Sequence, residues 1–352
     1  MLPPTRALRW LSLLPLAWIA CSSQETVAPP PGSTTSTSGD TTTSAGGAGD
    51  AATTSSANSA GGLGGVGGGG GTGSNASGGG GGLEDARLRV VAANLTSGNL
   101  QSYDPGDGIR ILQGINADVV LMQEVNYGLD TFEDLRQLTD DICGTECTLS
   151  RGAGQIPNAV ISRYPVLQAG EWVDPKVSDR DFAWARIDIP GPTDLWAVSV
   201  HLLTSNATER DVEAQAIVKQ LQAVVPQGDF VVMGGDFNTT TRDEIALTTL
   251  AARFSVEGPY PADGAGNDNT NGSRTKPYDW VLASPELRAL EKPVHVGAAH
   301  FDAGLVVDTR VYMPIGDLFP AEAADSEALN MQHMAVVRDF LLADVPVTSG
   351  GI

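Results

Sequence analysis

The chain is short of cations, of cysteine and of histidine, and each shortage narrows what it can be. It carries 21 Lys/Arg against 42 Asp/Glu, a formal net charge of −21. Residues 1–83 hold only Glu25, Asp40, Asp50, Arg6 and Arg9 of these, so the remainder keeps 39 acids against 19 cations. Proteins that grip a nucleic-acid backbone supply a surplus of cations to displace its counterions. This chain as a whole would repel a polyanion. Only a local groove drawn from Arg151, Arg163, Arg180, Arg186, Arg274 and Lys276 leaves room for one. The three cysteines are Cys21, Cys143 and Cys147. With Cys21 set aside, Cys143-Gly144-Thr145-Glu146-Cys147 most simply reads as a small loop disulfide in an oxidising compartment. Two sulfurs with no nearby Cys or His partner argue against a metal site there.

Residues 22–83 lack apolar side chains almost completely, being Gly, Ser, Thr, Ala and Pro with Leu63 and Val66 in the glycine tract. Such a stretch cannot bury enough surface to offset its chain entropy, and a flexible tether is expected. The first twenty residues carry Arg6 and Arg9, then the apolar Trp10–Ala20, a run too short to span a bilayer and suited to a signal peptide. Ala20 before Cys21 resembles the lipobox of bacterial lipoproteins, although Trp18 stands where that motif usually has Leu. Ordinary signal cleavage and a chance cysteine are the alternatives. The expected organisation is a signal segment over 1–21 with lipidation at Cys21, a tether over 22–83 and one globular domain over 84–346. The protein is expected to be exported, either lipid-anchored at the cell envelope or secreted. The chain has no internal repeat.

Within the globular part, polar residues close a series of apolar runs. Asn94 ends Val91-Ala92-Ala93, Glu124 ends Val119-Val120-Leu121-Met122-Gln123, and His201 ends Val198-Ser199-Val200. Asp236 and Asn238 follow Val231-Val232-Met233-Gly234-Gly235, Asp279 precedes Trp280-Val281-Leu282, and His333 precedes Met334-Ala335-Val336-Val337. Each run reads as a buried strand. Asp236 and Asn238 are two apart, so in extended geometry they share a side while Phe237 turns into packing. The paired glycines would let the backbone come close to a ligand.

Between them the periodicity predicts strands over Leu88–Leu95, Ala117–Val125 and Asn158–Val166, and a hairpin of Phe182–Ile189 with Leu195–His201. Further strands are expected over Asp229–Phe237, Trp280–Ala283, Val306–Val311 and Ala335–Leu341. Helices are expected near Ile109–Ile115, over Leu129–Ile142 and Glu209–Val225, and over Arg242–Ala252 with Thr239 or Thr240 as cap. Asp263–Ser273 reads as a polar loop. Strands alternating with helices, but with hairpins among them, point to mixed sheets.

The Gln-Glu, Gly-Asp-Phe-Asn and Tyr-Asp-Trp-Val motifs, in that order and spacing, resemble those of the endonuclease/exonuclease/phosphatase superfamily, the DNase I-like enzymes, from about Arg87 to Leu342. The resemblance implies an α+β fold, a four-layer α/β/β/α sandwich of two packed mixed sheets flanked by helices. It implies a metal-dependent phosphoester hydrolase: a phosphatase, phosphodiesterase or nuclease. The charge tilts the expected substrate toward small or lipid phosphates, with nucleic acid close behind. Hydrolysis without a covalent intermediate needs a deprotonated water, a counter to charge on the phosphoryl oxygens and a stabilised leaving oxygen. Mg²⁺ suits this chemistry, with Mn²⁺ or Ca²⁺ as alternatives.

Glu124 and Asn94 are the candidate metal ligands. Asp236 and Asn238 are candidates to orient water and bind phosphate, and His201 to donate to a phosphoryl oxygen. His333 is the candidate general base, with Asp279 fixing its tautomer, and Arg180 is a candidate phosphate contact. The remaining histidines, His295 and His300, match nothing in the series. The superfamily usually ends in Ser-Asp-His, where this chain has Met331-Gln332-His333. Gln332 offers only a carbonyl oxygen, so Asp325 or Asp308 is expected to fold in, or the cation to be held less tightly. The alternative function is a surface-binding domain of the same fold without turnover. A monomer is assumed.

Overall fold

Strands buried on both faces force a chain into layers, and the protein has several. All seven residues of Leu195–His201 are buried, as are all of Val119–Met122 and Asp279–Ala283. The computed structural model describes residues 83–95, 103 and 106–346, with backbone alone at 83–85 and 343–346. The signal segment, Cys21 and the tether lie outside the described residues.

In chain order the elements are β1 (Leu83–Ala93), α1 (Asp107–Ile115), β2 (Val119–Met122), α2 (Phe132–Cys143), β3 (Thr148–Arg151), β4 (Ala159–Ser162) and β5 (Val166–Trp172). Then come β6 (Phe182–Ile187), β7 (Leu195–His201), α3 (Ala207–Val224), β8 (Phe230–Asp236), α4 (Ile245–Leu250), β9 (Asp279–Ala283) and α5 (Pro285–Arg288). The chain closes with β10 (Glu291–Lys292), β11 (Val294–Val296), β12 (Ala299–Phe301), β13 (Leu305–Val307) and β14 (Ala335–Pro346). One large sheet has the order β10-β14-β1-β2-β4-β3, with β13 also on β14, the other large sheet runs β5-β6-β7-β8-β9, and β11 and β12 pair as a separate two-stranded sheet. β1 and β2 are parallel, as are β7 and β8, while the remaining pairs are antiparallel. Both large sheets are therefore mixed.

Alternation sends one set of side chains from each sheet into a shared middle layer: Leu88, Val90, Val119 and Leu121 from the first, Ala197, Val232 and Val281 from the second. The opposite faces pack outward. Ile111, Leu112 and Leu138 of α1 and α2 cover the first sheet, and Ile217, Leu221 and Leu247 of α3 and α4 cover the second. The result is the α/β/β/α sandwich. Each fully buried Val, Leu or Ile contributes about 1.5–3 kcal/mol. The helices start where their caps dictate. Thr131 accepts from the Asp134 amide and Asp134 reaches back, a capping box for α2, while Asn206 caps α3. Cys143 and Cys147 are joined as a disulfide across the turn between α2 and β3.

Four local expectations change. The single strand over Asn158–Val166 is two strands in different sheets, β4 and β5, parted at Pro165. β5 is mostly exposed and carries no burial pattern to announce it. The strand expected over Val306–Val311 stops at Val307, because Asp308 is held by Arg274 and Arg310. Neither Thr239 nor Thr240 caps α4: Thr239 Oγ1 donates to the Pro277 carbonyl and Thr240 to Glu244. The glycines before Asp236 serve packing rather than a ligand. A Cβ on Gly235, at φ 141°, would collide with the Val200 carbonyl and come within 2.7 Å of Gln123 Nε2. A Cβ on Gly234 would lie 2.9 Å from Leu121 and 3.1 Å from Ala92 of the facing sheet.

Candidate active site

The parallel pairs decide where the chemistry sits. β1, β2, β7 and β8 all end at one edge of the sandwich, and β9 and β14, running antiparallel, begin there. Asn94 follows β1, Glu124 follows β2, His201 and Asp236 end β7 and β8, Asp279 opens β9, and His333 stands two residues before β14. His201, Asp236 and Asp279 are in register across three strands. Two residues below them, Ser199, Gly234 and Val281 touch the first sheet: Ser199 Oγ donates to the Met122 carbonyl at 2.6 Å and accepts from Gln123 Nε2 at 2.9 Å. The row above must therefore face the first sheet too, toward Asn94 and Glu124.

All six side chains meet in one buried hollow. Asn94 Nδ2 donates to Asp236 Oδ2 at 3.0 Å and lies 3.4 Å from Glu124 Oε1. His201 Nε2 is 3.2 Å from Asp236 Oδ2 and its Nδ1 is 3.8 Å from Glu124 Oε1. His333 Nδ1 lies 3.0 and 3.1 Å from the two oxygens of Asp279, and its Nε2 is 3.5 Å from Asp236 Oδ2. Asn238, at φ 53°, turns its amide back on the Asp236 carboxylate at 2.9 Å and gives Nδ2 to the Leu202 carbonyl at 3.0 Å. Glu124 also sits at positive φ, 53°, an uncommon conformation that aims a side chain off the end of its strand.

The two imidazoles titrate in opposite directions. Burial holds His201 well below the ordinary histidine range, and the charges of Arg180 and His333 push it the same way. Burial also pulls on His333, but Asp279, Asp236 and Glu124 outweigh it and hold the imidazole at about 9. Burial lifts Asp236 to about 6, with His333 working against the rise. A neutral His201 has a single N–H. Placed on Nε2 it serves Asp236, which leaves Nδ1 an acceptor and no proton for a phosphoryl oxygen.

The donor set fits a hard cation. Asn94 Oδ1 is buried with no hydrogen-bond partner among the described residues, and the carboxylates of Glu124 and Asp236 lie against Nδ2 of the same side chain. Carboxylate and amide oxygens are what Mg²⁺ takes. One oxygen each from Asp236 and Asp279 and a nitrogen of His333 lie within 4.8 Å of one another, a second grouping in the same hollow able to hold an ion.

Several expected contacts lie elsewhere. Arg180 is buried and gives Nε to the His201 carbonyl at 2.7 Å and Nη2 to Leu202 O at 3.4 Å, with Asp179 at 3.1 Å. It braces the end of β7 instead of presenting itself to phosphate. Neither Asp325 nor Asp308 replaces the carboxylate missing at Gln332. Asp325 is paired with Arg110 and Asp308 with Arg274 and Arg310, while Gln332 is exposed. The local basic groove does not form either, since Arg151 pairs with Asp130, Arg186 with Asp194 and Arg274 with Asp263. Arg163 is spent on Asn116 and the Ala117 carbonyl, at the far end of β2. Lys276 remains, 3.5 Å from the Tyr278 hydroxyl, whose ring lies 5.7 Å from that of His333.

The sequence reading missed the supports. Tyr103 hydroxyl bridges the Ala93 carbonyl at 3.0 Å and the Leu95 amide at 3.1 Å, pinning the backbone on both sides of Asn94. Thr270 Oγ1 accepts the Asp279 amide at 2.7 Å. Both oxygens of the fully buried Glu213 take the Leu203 amide at 3.0 Å, just beyond His201. Ser199 was readable from its place two before His201. Tyr103 and Glu213 had no local signal.

A buried His–carboxylate pair facing further carboxylates at the carboxyl ends of parallel strands is the apparatus of water-activating hydrolases. The model of the endonuclease/exonuclease/phosphatase family matches residues 74–301. The chain belongs to that family, which includes phosphodiesterases, nucleases and phosphatases. His333 lies beyond the matched stretch and is brought in by β14. No curated protein matches the chain. Among solved structures it is similar to the endonuclease/exonuclease/phosphatase from Beutenbergia cavernae DSM 12333, at 17% identity over 74% of this chain and 73% of that one, TM-score 0.51. It is also similar to the one from Bacteroides vulgatus, at 18% identity over 73% of this chain and 99% of that one, TM-score 0.50. At that identity they speak for the fold.

Proposed function

We propose that the protein is an exported phosphoester hydrolase that works with a divalent cation, Mg²⁺ first. The observation carrying this reading is the His333–Asp279 pair at 3.0 Å, set with its free nitrogen toward Asp236 in the hollow that holds Asn94 and Glu124. Asp279 accepts from Nδ1 and fixes the tautomer, so Nε2 is the atom that takes a proton from water. Asp236 accepts the water's other hydrogen and is held in place by Asn94, His201 and the Asn238 amide. The second hydrogen on Asn238 Nδ2 and the ammonium of Lys276 meet the phosphoryl oxygens. Glu124 and Asn94 would hold the ion, which when bound offsets charge on those oxygens and on the leaving group. His333 must first be freed of its proton, and positive charge entering among Asp236, Asp279 and Glu124 lowers its affinity for it.

The acidic surface and the paired arginines favour a small or lipid phosphoester over a polynucleotide. A lipid at Cys21 followed by the Gly/Ser/Thr tether would keep the domain near a membrane surface. Turnover of bis-p-nitrophenyl phosphate, DNA, sphingomyelin and inositol phosphates, each with Mg²⁺ and with EDTA, tests the reading. Mg²⁺-dependent release that EDTA abolishes is expected. EDTA-insensitive release removes the cation from the chemistry, and ligand binding without any release identifies a non-catalytic domain.

A further inference from the structure

Two of the four histidines take no part in the hollow. His295 of β11 and His300 of β12 are direct cross-strand partners on a hairpin closed by Gly297 and Ala298, with Gly297 at φ 56°. Val294 and Val296 are buried while His295 is exposed, so both imidazoles project from the outer face. Their ring centroids are 6.1 Å apart, and His300 Nε2 lies 4.0 Å from Asp302 Oδ1.

We propose that His295, His300 and Asp302 form a second cation site, one for a borderline transition ion such as Zn²⁺ or Ni²⁺. The donor set decides the ion. Imidazole nitrogen suits Zn²⁺, Ni²⁺ and Cu²⁺, whereas Mg²⁺ prefers an all-oxygen shell.

The three side chains are exposed and have to turn toward one another to meet a single ion. Directly opposed residues have Cβ atoms about 4.5–5.5 Å apart. Zn–N bonds of about 2.0–2.1 Å place neighbouring ligand atoms of a tetrahedral ion about 3.3 Å apart. The 4.0 Å separation of His300 from Asp302 closes with a small rotation of exposed side chains. The backbone beneath is held firmly. Arg89 Nη2 donates to the His295 carbonyl at 2.7 Å, Tyr312 hydroxyl donates to the Val296 carbonyl at 3.2 Å, and Val294 and Val296 anchor in the core. Rigid strands carrying free imidazoles lose little on binding. His300 also lines an open cleft of about 740 Å³ beside Phe301, Val311 and Met313, and its side chain and that of Asp302 are largely exposed to water. A bare pair of surface histidines would be an ordinary solvated face, and Asp302 is what distinguishes this one.

The test uses the full chain without a polyhistidine tag, in excess Mg²⁺, titrated calorimetrically with Zn²⁺. Ni²⁺ broadening of the imidazole NMR signals locates the ion. One Zn²⁺ is expected at the hairpin, with affinity falling on acidification because a protonated imidazole has no lone pair to give. His295→Gln and His300→Gln should each weaken it by at least about tenfold, and Asp302→Asn by less, with Mg²⁺-supported activity unchanged. His333→Ala should leave this binding intact whether or not the protein proves to be a hydrolase. Absence of Zn²⁺ binding, wild-type affinity in both hairpin variants, or loss in His333→Ala would overturn the proposal.

Discussion

The two flanks of the hollow are built from the same residue types and behave oppositely. On the β7 flank, burial, with the charges of Arg180 and His333 added, holds His201 well below the ordinary histidine range. On the β14 flank, His333 lies against Asp279 and is kept charged, up to about 9. Both imidazoles are nearly fully buried, at 4% and 6% exposure. Burial alone would lower both. At His333 the carboxylates of Asp279, Asp236 and Glu124 outweigh burial, whereas at His201 burial prevails and the charges of Arg180 and His333 add to it.

The largest effect should come from removing the charged flank. His333→Ala is expected to cut kcat by at least ~10²-fold with the fold retained, the usual loss for a general base. An unchanged rate would end the proposed chemistry. Asp279→Asn sharpens the comparison. Without the carboxylate, histidine NMR titration of the cation-free protein should find His333 moved down from about 9 while His201 stays low. Movement of both together would mean that the flanks are not separate.

The smallest effect concerns stability, through the support under the β7 flank. Burial lifts the Glu213 carboxyl from 4.5 to about 8, with the Asp174 carboxylate adding to the rise and the Leu203 amide opposing it. The folded state then binds more protons than the unfolded state across that window. Stability contributed by the protonated form is complete below about 4.5 and lost as pH rises through about 8. The Tm of the wild type should fall across that interval, and Glu213→Gln should flatten the slope. A wild-type profile as flat as the variant's would refute the raised Glu213 carboxyl.

Much of the site was legible because its residues end apolar runs. Val198-Ser199-Val200-His201 and Val119–Glu124 declare a buried strand and a polar residue at its end. The order of the motifs then supplied the sandwich. Glu213 was hidden because it reads as one more acid on a polar helix, and only packing turns it toward Leu203. β5 was hidden because an exposed edge strand has no hydrophobic period. The glycines of β8 were visible, but what presses on them is the Val200 and Trp280 carbonyls of the neighbouring strands together with Gln123, Leu121 and Ala92 from the facing sheet's side.

The sequence by itself determined which residues could reach an edge of the fold, since strand alternation and helix caps follow from neighbouring residues. Only the tertiary structure decided which imidazole keeps its proton and which partners the arginines take. Those depend on burial and on charges that the chain brings together from distant positions, such as Asp279 and His333, 54 residues apart.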